Sequence, residues 1–343
     1  MPKVSVIIPI YNIENYIKQC LDCISNQTLK DIQIICVDDA SEDNSCRIVE
    51  EYTNKDSRII LLKHKQNLGL SAARNTGLKN VNGEFVYFMD GDDLLEGDAL
   101  EVCYNECKKN QLDILTFDAD VFVDCNFSGD SLCELKDFNY DRKKLLQSNK
   151  IFSGESFFSF AVKNNAFKPS VCLSFINSKL LKINNLTFYP GIFYEDQVFT
   201  IQLYFLSNRI MYYPRKFFKR RIRDYSIMTN KIGYKNIHDI LVISEEILKL
   251  CEKEEKKKNK KLLIQHVFSL LMWMEKLKDS IVDNAELEMV TIELKKNRIW
   301  RKYIIYKNMK FLNEKFRSFV KNITMVSLAR KIFFFQLLFS LLY

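Results

Sequence analysis

Over the first 120 residues, short runs of almost unbroken apolar residues alternate with segments whose apolar positions recur every three or four. The runs at 4–10, 32–37, 58–62, 84–89 and 113–117 have the length and continuity of strands buried on both faces. Between the first two, Ile13, Tyr16, Ile17, Cys20, Leu21 and Ile24 keep the spacing of one buried helical stripe. Right-handed crossovers turn this βαβαβ pattern into an α/β fold, a mostly parallel central sheet flanked by helices, with ligands expected at the carboxyl ends of the strands. From about 120 to 185 the pattern weakens and assigns no element. It returns with a helix over 195–206, a strand over 209–213 and a basic run. Beyond 231 it reads as helices, 237–250 and 262–277, split by a solvated lysine cluster at 253–261. The expected organisation is an α/β domain over 1–230, with halves 1–115 and 116–230, and a helical, basic region over 231–343.

Apolar residues make up 47% of 343 positions, enough for a sizeable core, and nine Gly with five Pro exclude a low-complexity chain. The net charge of +8 is unevenly placed. Twelve Lys or Arg against one acid, Glu314, lie between Lys295 and Lys331, a local +11 that leaves −3 for the remainder. That asymmetry suggests an anionic surface touched by the C-terminal region and no nucleic-acid partner for the body. The first residues lack the basic start, long apolar middle and cleavage site of a secretory signal, so a cytoplasmic protein is expected. The ten cysteines are then reduced thiols, and Cys20-x-x-Cys23 and Cys103-x-x-x-Cys107 read as helix packing.

Polar clusters follow the strands. After the first comes Pro9-Ile10-Tyr11-Asn12, a strand-ending proline and an aromatic at the rim. After the second comes Asp38-Asp39-Ala40-Ser41. Carboxylates there can accept from a nucleobase or a ribose, while Ser41 or Asp43 suits a helix cap. The stretch from Asn67-Leu68-Gly69 to Arg74-Asn75-Thr76-Gly77 combines small residues with one Arg able to meet phosphate or base oxygens. Most informative is Asp90-Gly91-Asp92-Asp93 behind the apolar run Phe85-Val86-Tyr87-Phe88-Met89. Three carboxylates in four residues repel one another, and a hard cation such as Mg²⁺ or Mn²⁺ relieves that.

In order and spacing these four clusters resemble the inverting glycosyltransferase family 2 with the GT-A nucleotide-diphospho-sugar transferase fold. The resemblance is strong over roughly the first 115 residues and moderate over 189–229. It implies that Pro9, Tyr11 and Asp39 hold a uracil, that Arg74 steadies the nucleotide, and that Asp90 lies near the ribose. It makes Asp92 the principal ligand of Mn²⁺ or Mg²⁺, with Asp90 and Asp93 beside it. Tyr194-Glu195-Asp196-Gln197 resembles the family's Glu-Asp segment. That implies Asp196, ahead of Glu195, as the general base, although acids there also complement a helix N-terminus. Arg221, Arg223 and Ser226 resemble a segment whose guanidiniums close over the diphosphate, in competition with a solvated basic loop.

The partners so implied are a UDP-sugar donor and a glycan or lipid-linked acceptor, in bacterial lipooligosaccharide, capsule or other polysaccharide synthesis. A sugar-nucleotide pyrophosphorylase and a non-catalytic membrane-docked scaffold of the same fold are the alternatives. The pyrophosphorylase usually carries a Gly-rich basic loop after its first strand, and this sequence does not. Residues 330–343 are mostly apolar after two cations and too short to span a bilayer. They suit an interfacial anchor, peripheral on the inner face of the cell membrane, or a helix docked on the domain or on a second copy in an oligomer.

Overall fold

The computed structural model describes residues 1–125, 127–128, 140–224, 226 and 229–308. They form two compact units. One comprises Met1–Lys231 with Leu250–Leu263, and the other Ile232–Lys249 with the residues from Ile264 onward. The apolar segment 330–343 and the basic stretch beyond 308 lie outside the described residues.

The first unit opens with β1 (Val4–Ile10), α1 (Ile17–Ser25), β2 (Ile32–Asp38), α2 (Ser45–Thr53), β3 (Ile59–Lys63), α3 (Leu70–Lys79) and β4 (Phe85–Phe88). These four strands pair in parallel in the order β3-β2-β1-β4, and β1, β2 and β4 are buried along their whole lengths. Complete burial is what the unbroken apolar runs require, since either face exposed would waste half of each strand's side chains. The helical stripe starts later than its apolar pattern, at Ile17, because residues 11–16 form the loop that caps β1.

Next come β5 (Leu94–Leu95), α4 (Ala99–Asn110), β6 (Ile114–Val123), β7 (Ile151–Phe152), α5 (Gly154–Lys163), β8 (Ser174–Asn177), α6 (Ser178–Ile183), α7 (Asp196–Leu206) and β9 (Ile210–Ile222). The sheet runs β3-β2-β1-β4-β8-β6-β9-β5, with β7 on β9. β8 is antiparallel to both β4 and β6, so the parallel part of this mixed sheet ends at β4 and resumes only between β6 and β9. The stretch that carried no sequence pattern thus supplies β8, α5 and α6.

β9 runs to Ile222, so the basic run is a strand and not a solvated loop. Its cations are neutralised across the sheet: Arg215 pairs with Asp98, Lys216 with Asp120 and Lys219 with Glu96. The ladder shifts register on both sides of Asp118, which pairs with Lys216, and the residues of β9 skipped there include Pro214, which has no N–H to donate. Asp118 is thereby buried, and Arg142, itself 1% exposed, answers it with Nε at 2.8 Å and its backbone N–H at 3.0 Å. The Tyr212 hydroxyl donates to the same carboxylate.

The second unit contains most of α8 (Tyr234–Lys253) and α9 (Lys257–Lys278), then α10 (Asn284–Lys296) and a helical stretch over 298–308. The lysine cluster does not separate the helices as expected, because Lys257 to Lys261 form the first turn of α9. Among the described residues no helix is long and apolar enough to cross a membrane.

Removing one partner of a buried, fully bonded ion pair strands the other charge. Arg142→Met should therefore cost about 3–5 kcal/mol, read as a lower urea midpoint at unchanged slope.

Candidate active site

The carboxyl ends of β1, β2 and β4 carry the loops 11–16, 39–44 and 90–93. The first two are stitched together. Asn12 donates its N–H to the Ser41 hydroxyl and accepts from the Glu42 N–H, while the Ile13 N–H reaches Ser45 Oγ at 2.8 Å. Pro9 is buried within β1, and Tyr11 stands 45% exposed at its end. Asp39 is buried. Its carboxylate accepts from the backbone N–H groups of Leu68 (2.9 Å) and Gly69 (2.7 Å) and lies 2.6 Å from His64 Nδ1. Three of about four acceptor positions are therefore filled from within the chain. Gly69, at φ +88°, adopts a backbone that disfavours a side chain and opens α3. Asp39 thus fixes where the helix bearing Arg74 begins.

Arg74 is 1% exposed and stacks over the Phe188 ring at 5.2 Å. Its Nη2 donates to Asp90 Oδ1 at 2.8 Å, and its Nη1 to Asp196 Oδ1 at 3.0 Å and to Glu195 Oε1. Sequence reasoning placed Arg74 against a nucleotide; in the structure it is the buried counter-ion joining three acids. Asn75 alongside exchanges two hydrogen bonds with the Phe188 backbone (2.8 and 2.9 Å), tying α3 to the chain that leads into α7. Tyr194, at φ +60°, turns that chain sharply just before Glu195 and Asp196, at the N-terminus of α7.

The Asp90–Asp93 turn is closed by a hydrogen bond from the Asp93 N–H to the Asp90 carbonyl. It packs so tightly on the end of β1 and on α1 that a β-carbon on Gly91 would come within 2.5 Å of Ile13 Cδ1 and 3.1 Å of the Pro9 carbonyl. β9 grips the turn from the other side. The Arg221 backbone N–H donates to Asp93 Oδ1 (2.6 Å), its Nε to the Asp92 carbonyl (2.8 Å), and its Nη1 to Asp124 (2.9 Å). Arg223 Nε meets Asp92 Oδ2 at 2.7 Å. The Tyr16 ring lies about equally far from both guanidiniums, at 5.1 and 5.0 Å. Ser226 is not brought into this group by its recorded bonds, which go to Thr229.

Electrostatics divide the acids. Burial pushes the Glu195 carboxyl up to about 7 against the pull of Arg74, and it raises Asp196 in the same way. Burial acts upward on Asp90 too, but the charge and hydrogen bond of Arg74 outweigh it and hold that carboxyl below its ordinary range. Asp93, 4% exposed, is driven well up by burial and by the charges of Asp92 and Asp90. Asp90 and Asp92 therefore fit a divalent ion of the magnesium type, which takes one or two carboxylates together with phosphate oxygens. Their side chains are 30% and 21% exposed, and their mutual crowding is already felt at Asp93. Asp93 itself is turned inward to a backbone N–H and stands apart from that pair. Among the described residues no group of three or more His, Cys, Asp or Glu is arranged as a metal cage.

The family model of glycosyl transferase family 2 matches residues 5–165. An uncharacterized glycosyltransferase of Haemophilus influenzae is 30% identical over 233 residues, covering 67% of this chain and 84% of that protein. The chain belongs to glycosyl transferase family 2. The glycosyltransferase GlyA of Streptococcus pneumoniae is 34% identical over 234 residues, 66% of this chain, and the chain spans only 31% of its length. Among solved structures, S. aureus TarS 1–349 in complex with UDP-GlcNAc superposes with a TM-score of 0.58 at 21% identity, covering 90% of this chain and 92% of that one. The mannosyltransferase PcManGT from Pyrobaculum calidifontis, in complex with GDP-Man and Mn²⁺, gives 0.55 at 16%, covering 93% and 83%. The family 2 chain thus has the GT-A fold with added C-terminal helices.

Two outcomes follow from the site. Gly91→Ala should cost about 1–3 kcal/mol through overpacking, and Ile13→Val, which removes the clashing Cδ1, should restore part of it in thermal denaturation. For Glu195, the folded value of about 7 lies above its ordinary 4.5. The stability this carboxyl contributes is therefore complete below about 4.5 and lost as pH rises through about 7. Relative to Glu195→Gln, the wild type should lose roughly 3 kcal/mol between those limits, measured by urea unfolding. A flat difference would mean that Arg74 keeps the group ionised throughout.

Proposed function

We propose that this family 2 chain is an inverting glycosyltransferase that moves a monosaccharide from a UDP-sugar to a hydroxyl of a glycan or lipid-linked acceptor. The observation that carries this reading is the single buried guanidinium of Arg74. It ties the Asp90 turn, where a donor diphosphate would sit, to the acid pair at the start of α7. A donor site and a base held by one rigid contact are what a one-step displacement at an anomeric carbon needs.

Asp196 is the general base. Its side chain is 18% exposed against 5% for Glu195, so it is the acid that an acceptor hydroxyl reaches. Arg74 and the Val171 N–H (3.2 Å) fix its two oxygens, while burial raises its carboxyl against the opposing charge of Arg74 and so makes it a better proton acceptor. Glu195, deeper and on the same guanidinium, positions Arg74. Arg223 lies on Asp92, from which its guanidinium can pass to a phosphate oxygen, and Tyr11 is exposed where a base would stack. Asp39 has one acceptor position left for a uracil N–H. When bound, Mn²⁺ or Mg²⁺ on Asp92 and Asp90 supplies the positive charge that makes a diphosphate a good leaving group.

UDP-GlcNAc in the TarS complex, and GDP-Man with Mn²⁺ in the PcManGT complex, support a nucleotide-sugar donor and a divalent ion. A poly(ribitol-phosphate) beta-glucosyltransferase among the relatives supports a bacterial surface polysaccharide as the setting. Asp196→Asn should lower transfer about 10²–10⁴-fold while UDP binding, measured by calorimetry with Mn²⁺, stays within a few fold. The wild-type rate should rise with pH and then level off as Asp196, whose carboxyl burial raises above its ordinary range, loses its proton. Transfer that survives Asp196→Asn but is abolished by Glu195→Gln would exchange the two roles, and no uptake of any nucleoside diphosphate by folded protein would overturn the reading.

A further inference from the structure

In the second unit, the end of α9, the outer part of α10 and the helical stretch 298–308 enclose an open cleft of about 520 Å³. Its walls are apolar, with Leu294, Ile304 and the Trp300 indole, and its charged members are Lys278, Lys295 and Arg301. No acid lines it. Among the described residues none of the three cations forms an ion pair, and two acids of α10 and α9 are paired elsewhere, Glu293 with His238 and Glu275 with Lys307. Ile305, 53% exposed, lines the cleft, and on α10 Met289 and Ile292 are 50% and 47% exposed.

We propose that this cleft binds an anionic phospholipid of a membrane surface, the phosphate against the three cations and an acyl chain on the aliphatic wall. Three cations without an ion pair, beside exposed aliphatic side chains and a tryptophan, match a ligand that is anionic at one end and apolar at the other. Aromatic and basic residues of this kind hold a protein at the headgroup level. Charge complementarity also selects among occupants. Residues 309–343 of the same chain carry six cations and one acid, so placing them in the cleft would set like charges together. An anionic headgroup neutralises it. The inference rests on the second unit alone and does not depend on the reading of Asp196.

The test is co-sedimentation of the full chain with vesicles of phosphatidylcholine alone and of phosphatidylcholine with about one third phosphatidylglycerol. Binding should require the anionic lipid, and the triple variant Lys278→Gln, Lys295→Gln, Arg301→Gln should lose roughly fivefold in partitioning per cation removed, with its circular dichroism and donor hydrolysis unchanged. In Trp273→Phe, Trp300 is the one remaining indole, and brominated phosphatidylglycerol should quench it. A contrasting variant with Lys310, Lys315 and Lys321 changed to Gln separates the cleft from the following segment. Loss confined to that variant, with Trp300 unquenched, would overturn the proposal. So would protection of Trp300 by soluble inorganic phosphate without vesicle binding, which would make the cleft a free-anion site.

Discussion

An arginine side chain withdrawn from water is tolerable only where acids meet it, and acids gathered closely are tolerable only around a cation. Arg74 and its three carboxylates satisfy both conditions at once. The contact links residues 121 apart in sequence, so neither the turn after β4 nor the start of α7 is complete until the chain has folded around it. Much of the surrounding structure serves to place this one guanidinium. Asp39 sets the first turn of its helix, Asn75 ties that helix to Phe188, and Phe188 in turn stacks on Phe199 of α7 at 3.8 Å.

A second clamp acts on the same turn from the opposite side. Because side chains alternate along a strand, Arg221 and Arg223 project from the same side at the end of β9, and both reach the Asp90–Asp93 turn. The two contacts differ in kind. Arg221 binds through backbone groups and Asp124 and is 6% exposed, which makes it part of the frame. Arg223, one residue past the end of β9, meets the carboxylate of Asp92 and donates to the Asp224 carbonyl, and its side chain is 13% exposed.

The first half of the sheet was legible because burial on both faces writes itself into sequence as unbroken apolar runs. The limits expected for β1 match those observed, and those of β2 to β4 agree to within a residue at either end. The second and fourth runs end where acids begin, at Asp38 and Asp90. What escaped were elements whose polar residues are neutralised by distant partners. β6 was expected to stop at 117, yet it continues to Val123 because the buried Asp118 is answered by Arg142, 24 positions away. β9 looked like a basic loop for the same reason, its cations being paired with Asp98, Asp120 and Glu96 in other elements. Local pattern cannot encode such compensation. His64, which bridges Asp39 and Thr76, was missed as well, since a lone histidine after a strand carries no spacing signal.

The same reasoning explains why the acids of the turn after β4 are not interchangeable. Asp90, Asp92 and Asp93 are equivalent as letters, and only the fold distinguishes them. Gly91 presses the turn against Ile13 and the Pro9 carbonyl, which turns Asp93 inward to the Arg221 N–H and leaves Asp90 and Asp92 part-exposed. Arg74 then holds Asp90 below its ordinary range, while burial and the charges of Asp92 and Asp90 push Asp93 well up. One backbone constraint thus sorts three identical side chains into a part-exposed pair and a third that is buried beneath it.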